Sequence, residues 1–164
     1  MNKRIFTIGV VSLIIDQITK MFIDMFLKLD ESISIIDKFF YITKTFNTGA
    51  AFSILEGRTF ILIIVSILTV LVLLKYMGEF KSNKLSNLSF GLIMGGILGN
   101  FGDRLFLGYV RDFLKFNIFG YNFPIFNIAD VCIVIGVFLL IICMIRGYDK
   151  DGSNSRDRRK SKTR

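Results

Sequence analysis

Four stretches of this chain are apolar for about the length a helix needs to cross a bilayer: residues 5–27, 59–77, 85–101 and 126–145. A hydrocarbon core about 30 Å thick takes roughly 20 residues of α-helix, at about 1.5 Å of rise each. In a chain of 164 residues, 52% of them apolar, a water-soluble fold has too little interior to hide so much apolar surface. Lipid removes the problem. The expected fold is an all-α polytopic membrane protein with four transmembrane helices. The first run follows Lys3 and Arg4, as a secretory signal would, but no small-x-small cleavage site comes after it. It reads as a retained helix.

The distribution of Lys and Arg sets the orientation. The N-terminus, the short connection after the second run (Lys75, Lys81, Lys84) and the segment from Arg146 onward hold thirteen basic residues; the connections 28–58 and 103–125 hold seven. Both termini are therefore expected in the cytoplasm and both longer connections outside. Within the first of these, residues 32–36 and 39–46 alternate apolar and polar side chains in places and are rich in Ile, Phe, Tyr and Thr. That pattern favours short strands, so a small extracytoplasmic β-sheet between helices 1 and 2, resting on the membrane surface, is expected. Residues 1–147 then form one membrane domain with an extracytoplasmic insertion at 28–58, and 148–164 a basic, disordered cytoplasmic tail.

Much of the net charge of +8 lies in that tail. A solvated tail beside anionic headgroups accounts for it, and no basic surface interleaved with aromatics suggests nucleic acid. There is no His, and the two cysteines, Cys132 and Cys143, lie eleven residues apart on one apolar run, about 16 Å along a helix axis. A disulfide within that run, a zinc site, a Ser-His-Asp triad and a Cys-His pair are all disfavoured. Hydrolytic chemistry here has to run on carboxylates.

Ionisable groups inside membrane segments are costly and point to function. Asp16 and Lys20 are spaced as an acid-before-base i,i+4 pair, with Asp24 one turn on. The pair either locks the first helix against its neighbours or shapes a site directly. Gly91, Gly95 and Gly99, with Gly96 beside them, form a small-residue stripe that suits close helix packing or a groove for a substrate helix. Asn100, Asp103 and Arg104 end the third run, Asp112 follows in the outer connection, and Asp130 opens the fourth run. Two neighbouring carboxyls share a proton at neutral pH and so supply an acid and a base in one site. Alternatively, Asp112 and Asp130 are simply solvated or paired with Arg104 and Arg111. A proton-coupled transporter with Asp16, Lys20 and Asp130 as relay, and a non-catalytic assembly factor, are the rival classes.

The blocks Asp16-Gln17-Ile18-Thr19-Lys20, Asn47-Thr48-Gly49-Ala50-Ala51-Phe52, Gly95 to Arg104, Val110-Arg111-Asp112-Phe113 and Phe126-Asn127-Ile128-Ala129-Asp130 together resemble the lipoprotein signal peptidase (signal peptidase II) family, from about residue 5 to 145. The resemblance implies a membrane aspartic endopeptidase of the bacterial cell (inner) membrane. Its substrates would be prolipoproteins, cut just before a cysteine that already carries diacylglycerol. It implies Asp112 and Asp130 as the catalytic dyad. Asn47, Gly96, Asn100, Arg104, Asn127 and Ala129 would hold the site and substrate, and Asp16 and Lys20 would support it. The expected protein is a monomer whose partners are lipid and substrate, with no metal or other cofactor.

Overall fold

The computed structural model describes residues 2–50 and 54–147; the expected tail, 148–164, lies outside the described residues. Four helices are present: α1 (Lys3–Phe26), α2 (Thr59–Met77), α3 (Lys84–Leu107) and α4 (Ile128–Ile145). Local signals fix their ends. The Asn2 side chain accepts the Arg4 N–H to cap α1, and Asn83 opens α3 with a reciprocal capping box to Ser86. Gly108, at φ 85°, ends α3 in the left-handed conformation that glycine adopts without strain.

The bundle is built around α3, whose glycines let its neighbours approach. On α1 the buried residues are Ile5, Gly9, Ser12, Asp16 and Lys20, a single stripe at helical spacing. That stripe lies on Gly91, Gly95 and Gly99. A β-carbon built on Gly95 would come within 2.5 Å of the Gly9 carbonyl oxygen, and one on Gly91 within 2.6 Å of Ile8. Helix α1 therefore fills the glycine stripe, and no groove for a substrate helix exists there. Gly96 points to α4, where an added β-carbon would strike the Ala129 carbonyl and Ile133.

The outward faces of α1, α2 and α4 are apolar, from Phe6 to Phe26 on α1 and with Val134, Phe138 and Ile145 on α4, while the interior holds Asp16, Lys20, Asn100, Asp103, Asp112 and Asn127. This is the reverse of a soluble protein, and lipid is the solvent that suits it. These three helices are long and apolar enough to cross a membrane. The expected third span, 85–101, is a longer helix that runs on through Asp103 and Arg104 to Leu107. Surrounded by protein, α3 need not be apolar throughout.

A four-stranded antiparallel sheet caps one end of the bundle: β1 (Ser32–Ile36), β2 (Phe40–Asn47), β3 (Val110–Ile118) and β4 (Tyr121–Asn122), in that order. The expectation of a sheet drawn only from the connection between α1 and α2 is corrected here, because the α3–α4 connection supplies half of its strands. Asp112, directly after Arg111, breaks the apolar alternation of β3, and pairing with β2 holds it as a strand.

Candidate active site

Two connections bring the dyad together. Asp112 lies on β3 opposite Thr45 of β2, and two residues further on Leu114 pairs with Phe126 by reciprocal backbone hydrogen bonds of 2.8 and 3.1 Å. Phe126 immediately precedes Asn127, the N-cap of α4. The cap is a box: the Asn127 side-chain oxygen accepts the Asp130 N–H at 3.0 Å, and the Asp130 carboxylate accepts the Asn127 N–H at 3.2 Å. The sequence Asn-x-x-Asp thus starts the helix and sets the second carboxyl in place.

Asn127 has its amide NH2 left over. That group donates to Asp112 Oδ1 at 2.6 Å and to Asn100 Oδ1 at 3.0 Å, and the Asn100 NH2 donates to Asp130 Oδ1 at 2.7 Å. Asp112 Oδ2 accepts from Asn47 Nδ2 at 2.8 Å. Every carboxyl oxygen of the pair therefore has one amide donor and keeps a further lone-pair direction for water, substrate or a proton. Asp112 and Asp130 line one cleft of about 460 Å3 with Asn47, Asn100 and Arg104, its other walls being mainly apolar residues such as Phe123, Ile125 and Val134. Burial of Asp112, reinforced by the charge of Asp130, pushes its carboxyl up to about 7, against the pull of the Asn47 and Asn127 amides.

Beneath the dyad lies a charge network. Lys20 Nζ, fully buried, sits 2.8 Å from Asp16, 3.2 Å from Asp103 and 3.1 Å from Asn100 Oδ1. An ammonium only donates, so it holds the oxygen of Asn100 toward itself and the NH2 toward Asp130. Asp16 also accepts the Ala129 N–H at 2.9 Å, tying α1 to the first turn of α4. The i,i+4 pair thus ties α1 to α4 at Ala129 and to α3 at Asn100, whose NH2 reaches Asp130. Arg111 does not pair with the dyad. It binds Asp103 at 2.7 Å, Asp24 at 3.0 Å and Gln17 at 2.8 Å, while Lys44 of β2 meets Asp24 at 2.9 Å. Asp16, Asp24 and Asp103 are thereby matched by Lys20, Lys44 and Arg111, as the buried members Asp16, Lys20 and Asp103 require. Sequence reasoning left Gln17, Asp24, Lys44 and Arg111 out of the site. Three were findable: Gln17 adjoins Asp16, Asp24 follows Lys20 by one turn, and Arg111 adjoins Asp112.

Arg104 lines the cleft and donates to the Gly49 carbonyl at 2.8 Å; its Nε is buried and has no partner among the described residues. Arg104 brings a positive charge to the cleft that Asp112 and Asp130 line. Gly96 and Ala129 mark the α3–α4 contact, and Ala129 is fully buried. Cys132 is half-buried, Cys143 buried, and both are free.

An apolar exterior around paired carboxyls in a cleft defines the class, a membrane-embedded enzyme. Two solved structures share the fold, both described as bacterial membrane enzymes determined by the in meso method. One, at 2.3 Å resolution, has a TM-score of 0.80 and 39% identity over 87% of each chain. The other, at 1.9 Å, has a TM-score of 0.77 and 40% identity over 85% of this chain and 91% of that one. Residues 8–146 match the signal peptidase (SPase) II family. The lipoprotein signal peptidase of Staphylococcus aureus is 40% identical over 96% of this chain and 98% of its own. That of Halalkalibacterium halodurans is 40% identical over 88% and 94%. The chain belongs to the signal peptidase II family. Membership in a family of peptidases sets aside the transporter and assembly-factor readings.

Proposed function

We propose that this protein is a multi-pass bacterial membrane endopeptidase that removes the signal peptide from prolipoproteins, cutting just before the lipid-modified cysteine. The observation that carries this reading is the pair Asp112 and Asp130, each clamped from behind by amide donors and both turned to one largely apolar cleft. All four helices span the bilayer, with α3 shielded by the others. The termini face the cytoplasm and the sheet lies outside. Residues 1–147 work as a monomer, with lipid and substrate as their partners.

In the resting state the dyad holds one proton. Asp112 carries it, in keeping with its raised value, and Asp130 at the positive end of α4 carries the charge. Asp130 takes a proton from water as the hydroxide attacks the scissile carbonyl carbon, and Asp112 gives its proton to the carbonyl oxygen. Asp112 then recovers a proton from one hydroxyl of the gem-diol while Asp130 protonates the nitrogen. The C–N bond breaks, leaving a carboxylic acid on the signal peptide, a free amine on the cysteine and the dyad as it began. Arg104 steadies the substrate backbone at the cleft.

The test is cleavage of a diacylglyceryl-modified prolipoprotein by purified protein. Asp112→Asn and Asp130→Asn should each lose at least about 10²-fold in kcat, the lower range for general acid–base catalysis, while remaining folded and inserted. The double variant should cost little more than the worse single one, because the two groups act as a unit. Near-normal turnover by either variant would sink the dyad.

A further inference from the structure

A second hollow, of about 470 Å3, meets the catalytic cleft at Asp112. The two share Asn47, Ala50, Asp112, Pro124 and Ile125, but their remaining walls differ in kind. The cleft continues along Val131, Val134 and Ile135, where Val134 is 67% exposed on the lipid-facing side of α4. The second hollow is walled by Thr45, Thr48, Asn122 and Glu56, with Phe46 the apolar exception, and among the described residues Glu56 is its one charged side chain apart from Asp112. A polypeptide lying across Asp112 thus has an apolar channel on one flank and a hydroxyl-, amide- and carboxylate-lined one on the other.

We infer that the polar hollow is a subsite for the residues that follow the lipid-modified cysteine, and that Glu56 selects basic side chains there over acidic ones. This rests on the peptidase reading above. The substrate is itself asymmetric: the signal peptide and the acyl chains belong in lipid, whereas the mature chain beyond the cysteine leaves for water. Apolar parts go to the apolar cleft, and the downstream segment has a hydrogen-bonding channel beside it. Glu56 is solvent-exposed, so its effect on a charged partner is modest and weakened by salt.

The experiment uses full-length protein and three diacylglyceryl-cysteine peptides that differ only in bearing Lys, Gln or Glu at the second and third positions after the cysteine. The wild type should cleave the Lys peptide about 2- to 5-fold faster in kcat/KM than the Glu peptide at low salt, as suits an exposed ion pair. Glu56→Lys should invert the ratio and Glu56→Gln bring it near one. Glu79→Lys makes the same charge change in the connection between α2 and α3, and should leave the ratio as in wild type. Should Glu56→Lys be inactive, the Glu56→Gln ratio decides. An unchanged ratio in the Glu56 variants, with cleavage intact, overturns the subsite and leaves the peptidase standing. If wild-type protein cuts none of the three peptides, the peptidase reading itself fails.

Discussion

Asn127 shows how much one side chain can determine. Its oxygen caps α4, its NH2 joins Asp112 to Asn100, and its backbone N–H holds Asp130. From sequence it reads as a motif match; that one amide bridges two elements depends on the β3–Phe126 pairing, which no local pattern announces. Lys20 acts one step further back, through Asn100. Breaking its buried pairs should destabilise the fold by about 3–5 kcal/mol, so Lys20→Met is best assayed in stabilising lipid. Burial and then Asp130 raise Asp112, while Lys20 pulls it down. The wild-type rate should therefore fall above about pH 7 as the dyad loses its proton, and Lys20→Met should move that limb to higher pH. A structural role alone would lower activity without moving the limb. Stability has its own sign. The native protein holds this proton more tightly than the unfolded chain, so Asp112's stabilising contribution is complete below about pH 4 and is lost as pH rises through about 7. Thermal unfolding in detergent should show Asp112→Asn flattening that slope.

At the scale of elements, α3 carries the prediction. Its Gly95 is a point of backbone contact, with a built β-carbon 2.5 Å from the Gly9 carbonyl, whereas Gly102 has nothing within 4 Å. Gly95→Leu should therefore abolish a stable bundle, because the obstacle is backbone and cannot rotate away. Gly102→Ala should be neutral or stabilising by about 0.5–1 kcal/mol, since alanine loses less freedom than glycine in a helix. Melting temperatures of the two variants check the pair; a folded, active Gly95→Leu protein would mean α1 is not seated on that stripe. The spacing of the glycines was legible as a close-contact face, but not its occupant: spacing cannot distinguish a helix of the same chain from a substrate. The strands divide similarly. β1 and β2 have the β-branched and aromatic alternation that marks a strand, while β3 carries Arg111 and Asp112 because it serves the site.

Across the whole molecule, sequence and structure meet on hydrophobicity and part on α3. The three helices with apolar outer faces are recognised by composition; the fourth is polar where it is enclosed, and on the proposed four-span reading its position among the others lets a bilayer tolerate Asn100, Asp103 and Arg104. That enclosure also gives the fold a direction. The buried apolar cluster of Ile5, Leu73, Phe90, Ile93, Met94 and Ile97 lies toward the N-terminal end of α1, while Asp16, Lys20 and the dyad gather at the sheet end. Lys3, Arg4, Lys75, Lys81 and Lys84 crowd the end opposite the sheet, and the excess of basic residues belongs in the cytoplasm. On the proposed orientation the sheet and the dyad face outward, the side on which the junction of an exported signal peptide is presented. Single cysteines placed at Lys38 and Lys115 in a Cys132→Ala, Cys143→Ala background should react with a membrane-impermeant thiol reagent in intact spheroplasts. A cysteine at Lys81 should react only after the membrane is opened. Lys38 forms the turn between β1 and β2 and Lys115 lies on β3, so the first two sites report on the same sheet and must agree. Labelling of Lys81 alone in closed spheroplasts would put the dyad on the cytoplasmic face, and the proposed cleavage of exported prolipoproteins would fail on geometry before any chemistry was tried.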